Sequence, residues 1–403
     1  MRRIVVVLPT TTYRAGDFIA AGEELGVELI VASEGAPPID MGDRYIQIDC
    51  SDPDSAAKTI VAAGDRFPID GVVAADDRGV EVAAITSQRL GLPGNTPDSA
   101  RSTRDKALQR KLLAAMELRQ PRWAVLGPDD DSRDAADSIG FPLVVKATGL
   151  SAGQGIIKVT NPDGLEPAVR RARAIARGEG QDGDQLVLEQ LLTGSEVAVE
   201  GLIGPSGFLP LAIFDKPIEP SGEGFQETML VTPSRWGSET LDEIRRTSAK
   251  AVTALGLGHG PVHVEVIVDD RGVSVLEVAA RSIGGLCSRS LDFGLMGTSL
   301  ETLILRNSMG LDKPELKKSS RASGALMIPI PGNGELVTVS GTEEVGQIAH
   351  ITGVEITARP GDRLAPPPEG GRYLGFVFAS AETPDQVESA LRQAMTTIRV
   401  VLR

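Results

Sequence analysis

The first hundred residues alternate short apolar runs, RIVVVL, VELIVAS, YIQIDC and DGVVAA, with helical stretches, DFIAAGEELG, DPDSAAKTIVAAGDRF and GVEVAAITSQRLG. Strands that recur with a helix between them are joined by crossovers, so this alternation restricts the region to a parallel sheet with right-handed connections. The turn after the first run reads TTTYRAGD. It lacks the GxGxxG glycines that let a backbone approach a pyrophosphate, so the region is Rossmann-like without a dinucleotide fingerprint, and a dehydrogenase is disfavoured.

A chain of 403 residues divides into two or three domains of ordinary size. Hydrophobic residues at 41% and charged residues at 24% fit a globular protein. No apolar run approaches the roughly 20 residues that span a bilayer. The opening MRRIVVVL carries an apolar run of about five residues, shorter than the roughly seven of a secretory signal core, and reads as a buried first strand. A net charge of -14 repels nucleic acid and anionic membrane, so a phosphate-bearing ligand must be small and held by a few local cations or a metal. Cys50 and Cys287 sit in no CxxC or Cys/His spacing; buried thiols in a reducing cytoplasm are expected.

After GNTPDSARSTRDKALQRKLLAAMEL the pattern changes. A charged helix is expected from about Arg104 to Leu118, followed by short strands at AVL, PLVVKA and GIIKV. DQLVLEQLLTGSEVAVEGLIG reads as two strands joined by a kink at LLTG, and FDKPIEPSGEGFQETMLVTPSRW as an irregular lid segment. Beyond about residue 311 the sequence reads as a small α+β module whose end, YLGFVFASAETPDQVESALRQAMTTIRVVL, is a strand followed by a helix.

Chemistry concentrates in VHVEVIVDDRGVSVLEV, read as a hairpin. A three-residue loop with Gly272 in the left-handed conformation sets Glu265 and Glu277 opposite one another on one face; a four-residue loop sets them on opposite faces. Facing carboxylates about 5 Å apart repel unless a cation lies between them. Oxygen ligands without Cys or His point to Mg²⁺ or Mn²⁺. A solvated strand face paired with basic residues is the alternative. In the first register His263 shares that face, as a candidate substrate contact. Arg281, followed by SIGG, can grip a carboxylate or phosphate with its planar fork. VVKATGLSAGQGIIKV sets Lys146 at a strand end before a small-residue loop, Ser151 to Gly155, whose amides can converge on an oxyanion. The loop is not GxxxxGK[ST], which disfavours a P-loop ATPase.

The ordered set RDK, VVKATGLSAGQG, LEQLLTGSE, HVEV and LEVAAR resembles the ATP-grasp superfamily over approximately residues 1 to 310. The N-terminal domain, ARSIGG and the C-terminal tail most resemble its L-amino-acid ligase branch. The resemblance implies an α/β and α+β ATP-grasp fold: a Rossmann-like N-terminal domain over 1–100, an ATP-grasp domain over 101–310 and a C-terminal α+β module over 311–403. It implies ATP and Mg²⁺ (or Mn²⁺) as cofactors. Lys106 and Lys146 would contact phosphates, and Ser151, Gly153 and Gly155 would fold over them. Glu189, Gln190 and Leu192 would line the adenine site, and Glu196 would take the ribose hydroxyls. Glu265 and Glu277 would hold the metal, and Arg281 would stabilise an acyl phosphate and its transition state. One departure is plain: the family's Glu-x-Asn reads Glu277-Val278-Ala279 here, which removes an amide ligand and reshapes one metal site.

The activity so implied is ADP-forming, ATP-dependent joining of a carboxylate, expected to be an amino acid, to an amine, in a cytoplasmic enzyme. Its partners are small molecules, with neither nucleic acid nor membrane; homodimerisation is an expectation of the resemblance alone. Alternatives are a biotin-carboxylase-like enzyme that forms carboxyphosphate, and an ATP-binding protein without turnover. Gly284 and Gly285 suggest room for a bulky first substrate.

Overall fold

The computed structural model describes residues 1–9, 12–37, 41–219, 222, 224–292, 297–311 and 321–403. The four early apolar runs form a parallel sheet in the order β3-β2-β1-β4, with β1 Arg3–Val7, β2 Glu28–Ser33, β3 Tyr45–Gln47 and β4 Gly71–Ala74. Its central strands are apolar on both faces because helices cover both, as parallel sheets require. Val5, Val7 and Ile30 are buried with one layer of helices, and Ile4 and Val6 with the rest of the protein.

A second, antiparallel sheet has the order β5-β8-β6-β7, from β5 Trp123–Leu126, β6 Leu143–Ala147, β7 Ile156–Val159 and β8 Leu186–Gln190. Helices Ser132–Ile139 and Leu165–Gly178 bury one of its faces. Its strands, short and apolar, follow the sequence expectation. The charged helix expected from Arg104 to Leu118 is instead two helices, Pro97–Arg104 and Lys106–Ala115. Asp105 divides them: its extended backbone ends the first, and its carboxylate accepts from the amides of Ala107 and Leu108 to cap the second.

The third sheet draws its strands from residues 195 to 381. It contains β9 Ser195–Gly204, β10 Gly207–Asp215, β11 Met229–Thr232, β12 Gly260–Asp269 and β13 Gly272–Ala279. The C-terminal part adds β14 Ala322–Met327, β16 Ile351–Ile356 and β18 Gly375–Ala381 to it, and also holds β15 Gly334–Ser340, β17 Arg363–Leu364 and β19 Arg399–Leu402. The eight-stranded order is β13-β12-β9-β10-β11-β14-β18-β16; β17-β15-β19 make a small separate sheet. The segment read as irregular therefore hides a strand, β11, which joins β10 to β14. Through it the sheet runs on past residue 311, so the C-terminal residues share a sheet with the middle of the chain. The expected kink at LLTG is a change of sheet: β8 belongs to the second and β9 to the third.

Phe376 of β18 sits where these parts meet. It is fully buried, packed edge-on against Tyr13 of the N-terminal region and Tyr373, and stacked with Phe378. Removing a buried aromatic ring leaves a cavity that costs about 3–5 kcal/mol. Phe376→Ala is expected to lower the denaturant midpoint by that equivalent; a midpoint within about 1 kcal/mol of the parent protein would contradict this packing account.

Candidate functional site

The second sheet and the large sheet face each other across a cavity of about 650 Å³. Lys146 at the end of β6, Glu189 and Gln190 at the end of β8, and Leu191 and Leu192 line one wall. Glu196 of β9, His263 and Glu265 of β12, and Glu277 and Ala279 of β13 line the other. The parallel sheet contributes Tyr13 and Arg14 after β1 and Asp76 and Asp77 after β4. Those positions lie beyond carboxyl ends of parallel strands, where open α/β sheets gather ligand groups. Gly371 to Tyr373 close the cavity from the C-terminal part.

The hairpin reaches the expected facing of its two carboxylates by another route. Its turn has two residues, Asp270 and Arg271, because Asp269 pairs with Gly272 at φ +114. A regular ladder from there would set Leu276 opposite Glu265. Instead the register steps between Val266↔Val275 and Glu265↔Glu277, leaving Leu276 as a bulge residue and turning Glu277 to face Glu265. His263 then pairs with Ala279.

Two buried charge clusters dominate. In the first, the Glu189 carboxylate, 1% exposed, accepts from Arg110 Nε at 2.7 Å and Nη2 at 3.0 Å, and from Lys146 Nζ at 2.7 Å. Burial alone would raise its pKa; the two cations outweigh it and hold the group down at about 2. In the second, Lys216 donates to Glu196 at 2.5 Å, to Glu265 at 2.6 Å, and to Glu227. These three carboxylates each bring an oxygen within 4.8 Å of the others. Burial would lower the Lys216 pKa, and the carboxylates lift it well above its usual range. Burial also raises Glu196, against the pull of Lys216, whereas Lys216 and His263 overcome it and hold Glu265 well below its usual range. His263 Nδ1 lies 3.1 Å from Glu200 and Nε2 3.6 Å from Glu265; burial opposes protonation, yet the two carboxylates push its pKa up to about 9.

Arg281 lines the cavity, held by Nε to Asp77 at 2.9 Å and by Nη1 to the Ser282 carbonyl at 3.0 Å. In the small-residue loop, Ser151 and Gly153 line the cavity, but the Gly155 amide donates to the Pro368 carbonyl at 2.9 Å and so faces away. Gln154 adds a bond to the Glu369 carbonyl, and Arg171 pairs with the Glu369 carboxylate at 2.6 Å. The C-terminal strap Pro367–Glu369 thus holds the loop. Lys106 does not line the cavity: its Nζ donates to the Leu150 carbonyl at 2.6 Å and lies 3.3 Å from Glu277. Of the two glycines read as space, Gly284 is open, with nothing within 4 Å of an added Cβ. Gly285 is not: its φ is +60 and a Cβ would stand 2.5 Å from the Phe376 ring. Cys50 and Cys287 are buried free thiols.

Sequence reading missed Arg110, Lys216, Glu227, Asp77 and Tyr373. Lys216 and Glu227 lie in the segment read as irregular, of which residues 220, 221 and 223 fall outside the described residues. Asp77 had a usable signal, an acidic pair in VVAADDRG at the end of a parallel strand. Tyr373 donates to Glu227 at 3.1 Å, a contact across 146 residues that no local pattern announces.

A carboxylate whose pKa is depressed by folding contributes stability that is complete above its ordinary value near 4.5 and is lost as pH falls toward 2. Glu189→Gln is expected to lower stability at pH 7 by about 3 kcal/mol or more, since it leaves two cations uncompensated. It should also shrink the loss of stability between about pH 4.5 and 2 in urea titrations; an acid limb as steep as the parent's would contradict the assignment.

Comparison with known proteins agrees with this architecture. The chain matches the ATP-grasp domain over residues 139–290, the ATP-grasp N-terminal domain over 19–94, and the L-amino acid ligase C-terminal domain 2 over 326–403. It is 25% identical over 251 residues to the alanine–anticapsin ligase of Bacillus subtilis, covering 57% of this chain and 52% of that protein. The chain thus spans about half the length of that relative. The crystal structure of L-amino acid ligase from Bacillus licheniformis superposes with a TM-score of 0.86 at 24% identity, over 100% of this chain and 99% of that one. The carboxyaminoimidazole ribonucleotide synthase of Aspergillus clavatus, complexed with ATP, superposes at 0.76 and 17% identity, with 99% of each chain covered. Among the described residues no helix is long and apolar enough to cross a membrane.

Proposed function

We propose that this chain, which belongs to the ATP-grasp superfamily and ends in an L-amino acid ligase C-terminal domain, joins a carboxylate of the amino-acid class to an amine at the expense of ATP. The observation that carries the reading is one cavity in which Lys146 and Arg281 converge with the facing pair Glu265 and Glu277. A carboxylate is a poor electrophile. Its oxygen attacks the γ-phosphorus of ATP, ADP leaves, and the amine then attacks the carbonyl carbon, expelling phosphate and losing a proton.

Val144, Ile156 and Leu276 offer apolar surfaces from the two sheets, with Gln190 to Leu192 at the rim, a slot suited to a purine. Lys146 and the amides about Ser151 to Gly153 meet phosphate oxygens, and Arg281 meets the charge that develops on the acyl phosphate. Asp77 holds the Arg281 fork for that task. Glu196 reaches ribose hydroxyls only by sharing its carboxylate with Lys216.

The carboxylates of Glu196, Glu227 and Glu265, gathered about the Lys216 ammonium, form an all-oxygen set that suits a hard divalent cation, with Glu277 across the ladder from Glu265. Glu265 and Glu277 would hold Mg²⁺ or Mn²⁺, which when bound neutralises the polyphosphate. Glu227 supplies a further carboxylate near Glu265 in a site where Ala279 offers no ligand. Water must be kept from an acyl phosphate, and the loop Ser151 to Gly155 under its Pro367–Glu369 strap, with Lys216 to Glu219 and Gly224 to Thr228 lining the cavity, serves as the cover. The reaction needs neither nucleic acid nor membrane, and as in related enzymes a homodimer is the assembly to test. A cytoplasmic setting, where ATP and amino acids are plentiful, suits this chemistry.

Phosphate release from MgATP over a matrix of paired amino acids and amines tests the reading. Release is expected only with both substrates and to fall at least 100-fold in Glu277→Ala; release with bicarbonate alone would favour a carboxyphosphate-forming enzyme. Gly284→Trp is expected to exclude bulky carboxylates and spare small ones, because the added ring enters open space. An unchanged substrate profile would remove Gly284 from the pocket.

A further inference from the structure

β13 is the terminal strand of the large sheet, so its outer edge needs partners. Helix Lys106–Ala115 supplies them through two adjacent side chains. Gln109 accepts from the Val278 amide and donates to the Val278 carbonyl, both at 2.9 Å, as a neighbouring strand would. Arg110 donates Nη1 to the Val275 carbonyl at 3.3 Å and Nη2 to the Leu276 carbonyl at 2.5 Å. Those two carbonyls belong to the step in register that turns Glu277 toward Glu265. The same guanidinium grips both oxygens of Glu189, whose second oxygen also holds Lys146.

We propose that Arg110 is a positioning residue for this reaction: it pins the bulge at Leu276 that faces Glu277 to Glu265, and through Glu189 it fixes Lys146. One guanidinium thereby sets the cation-binding carboxylates on one sheet against the phosphate-binding ammonium on the other. Arg110 itself does not line the cavity. The inference rests on the proposed roles of Glu277 and Lys146.

The physical argument is one of register. A bulge residue is left out of the ladder, and its carbonyl must find another partner. Without that partner the strand can continue in the register of Asp269↔Gly272, which sets Leu276 opposite Glu265 and turns Glu277 to the other face. Arg can serve both Glu189 and two carbonyls because its five N–H donors lie in a rigid plane; a lysine ammonium, a single point with three donors, cannot span them.

The test compares the full-length parent protein with Arg110→Lys and Glu277→Ala. Mn²⁺ binding in the presence of ADP is read from the electron paramagnetic resonance of free Mn²⁺, and adenosine binding by calorimetry. Arg110→Lys is expected to weaken Mn²⁺ binding at least tenfold, as Glu277→Ala does, while adenosine, which needs neither Glu277 nor Lys146, binds as in the parent. Should Arg110→Lys not fold, Arg110→Gln, which leaves Glu189 in place but cannot span it and both carbonyls, is expected to show the same selective loss. Parent-like Mn²⁺ affinity in a folded Arg110 variant overturns the proposal. An equal loss of adenosine binding also overturns it, in favour of general disruption. Parent-like Mn²⁺ affinity in Glu277→Ala defeats the metal reading itself, and with it this inference.

Discussion

A buried carboxylate shared by two cations ties the halves of this molecule together. Glu189 stands on β8 of the small sheet, Lys146 on β6 beside it, and Arg110 on the helix that covers the edge of the large sheet. Such a group is stable in the interior only while its partners stay in place, since losing one leaves a bare charge worth several kcal/mol. The two sheets are therefore held at one spacing by an interaction with little tolerance for change. The cavity between the sheets, with Lys146 on one wall and Glu265 and Glu277 on the other, depends on that spacing.

Charge balance explains why the opposite end of the cavity invites a ligand. Glu196, Glu227 and Glu265 surround one lysine, and the His263 ring lies between Glu200 at Nδ1 and Glu265 at Nε2. The cluster holds more negative charge than its own cations balance, which keeps Lys216 charged, while burial, with Glu265 and Glu227 adding to it, holds Glu196 above its usual range. Under the proposed function, a divalent cation arriving with a nucleotide would relieve that imbalance. The protein as a whole carries -14, so under the proposed function its attraction for an anionic nucleotide has to be local, with Lys146 and Arg281 as the cations of a cleft with apolar walls.

The parts of this arrangement that could be read from the sequence are those governed by short-range rules. Alternating apolar and helical segments gave the parallel sheet, and period-two placement in one hairpin gave the Glu265/Glu277 pair. Even there the turn was misjudged by one residue, and the facing survives because a bulge restores it. Lys216 and Glu227 escaped because they lie in the Pro- and Gly-rich stretch between β10 and the four-residue β11, where no periodicity can develop. Arg110 escaped because a charge on a helix is ordinarily solvated; only the fold reveals that its guanidinium is buried against β13 and Glu189. Gly285 misled for a related reason. A small residue leaves room only where no distant side chain, here Phe376, has already filled it.

The central claim is that the carboxylate is activated by phosphorylation in this cavity. It is tested most directly by turning over a carboxylate substrate labelled with ¹⁸O in both oxygens and examining the released phosphate by ³¹P NMR. An acyl phosphate passes one carboxylate oxygen to phosphorus, so the account predicts one ¹⁸O in each phosphate formed. Product accompanied by unlabelled phosphate would contradict it.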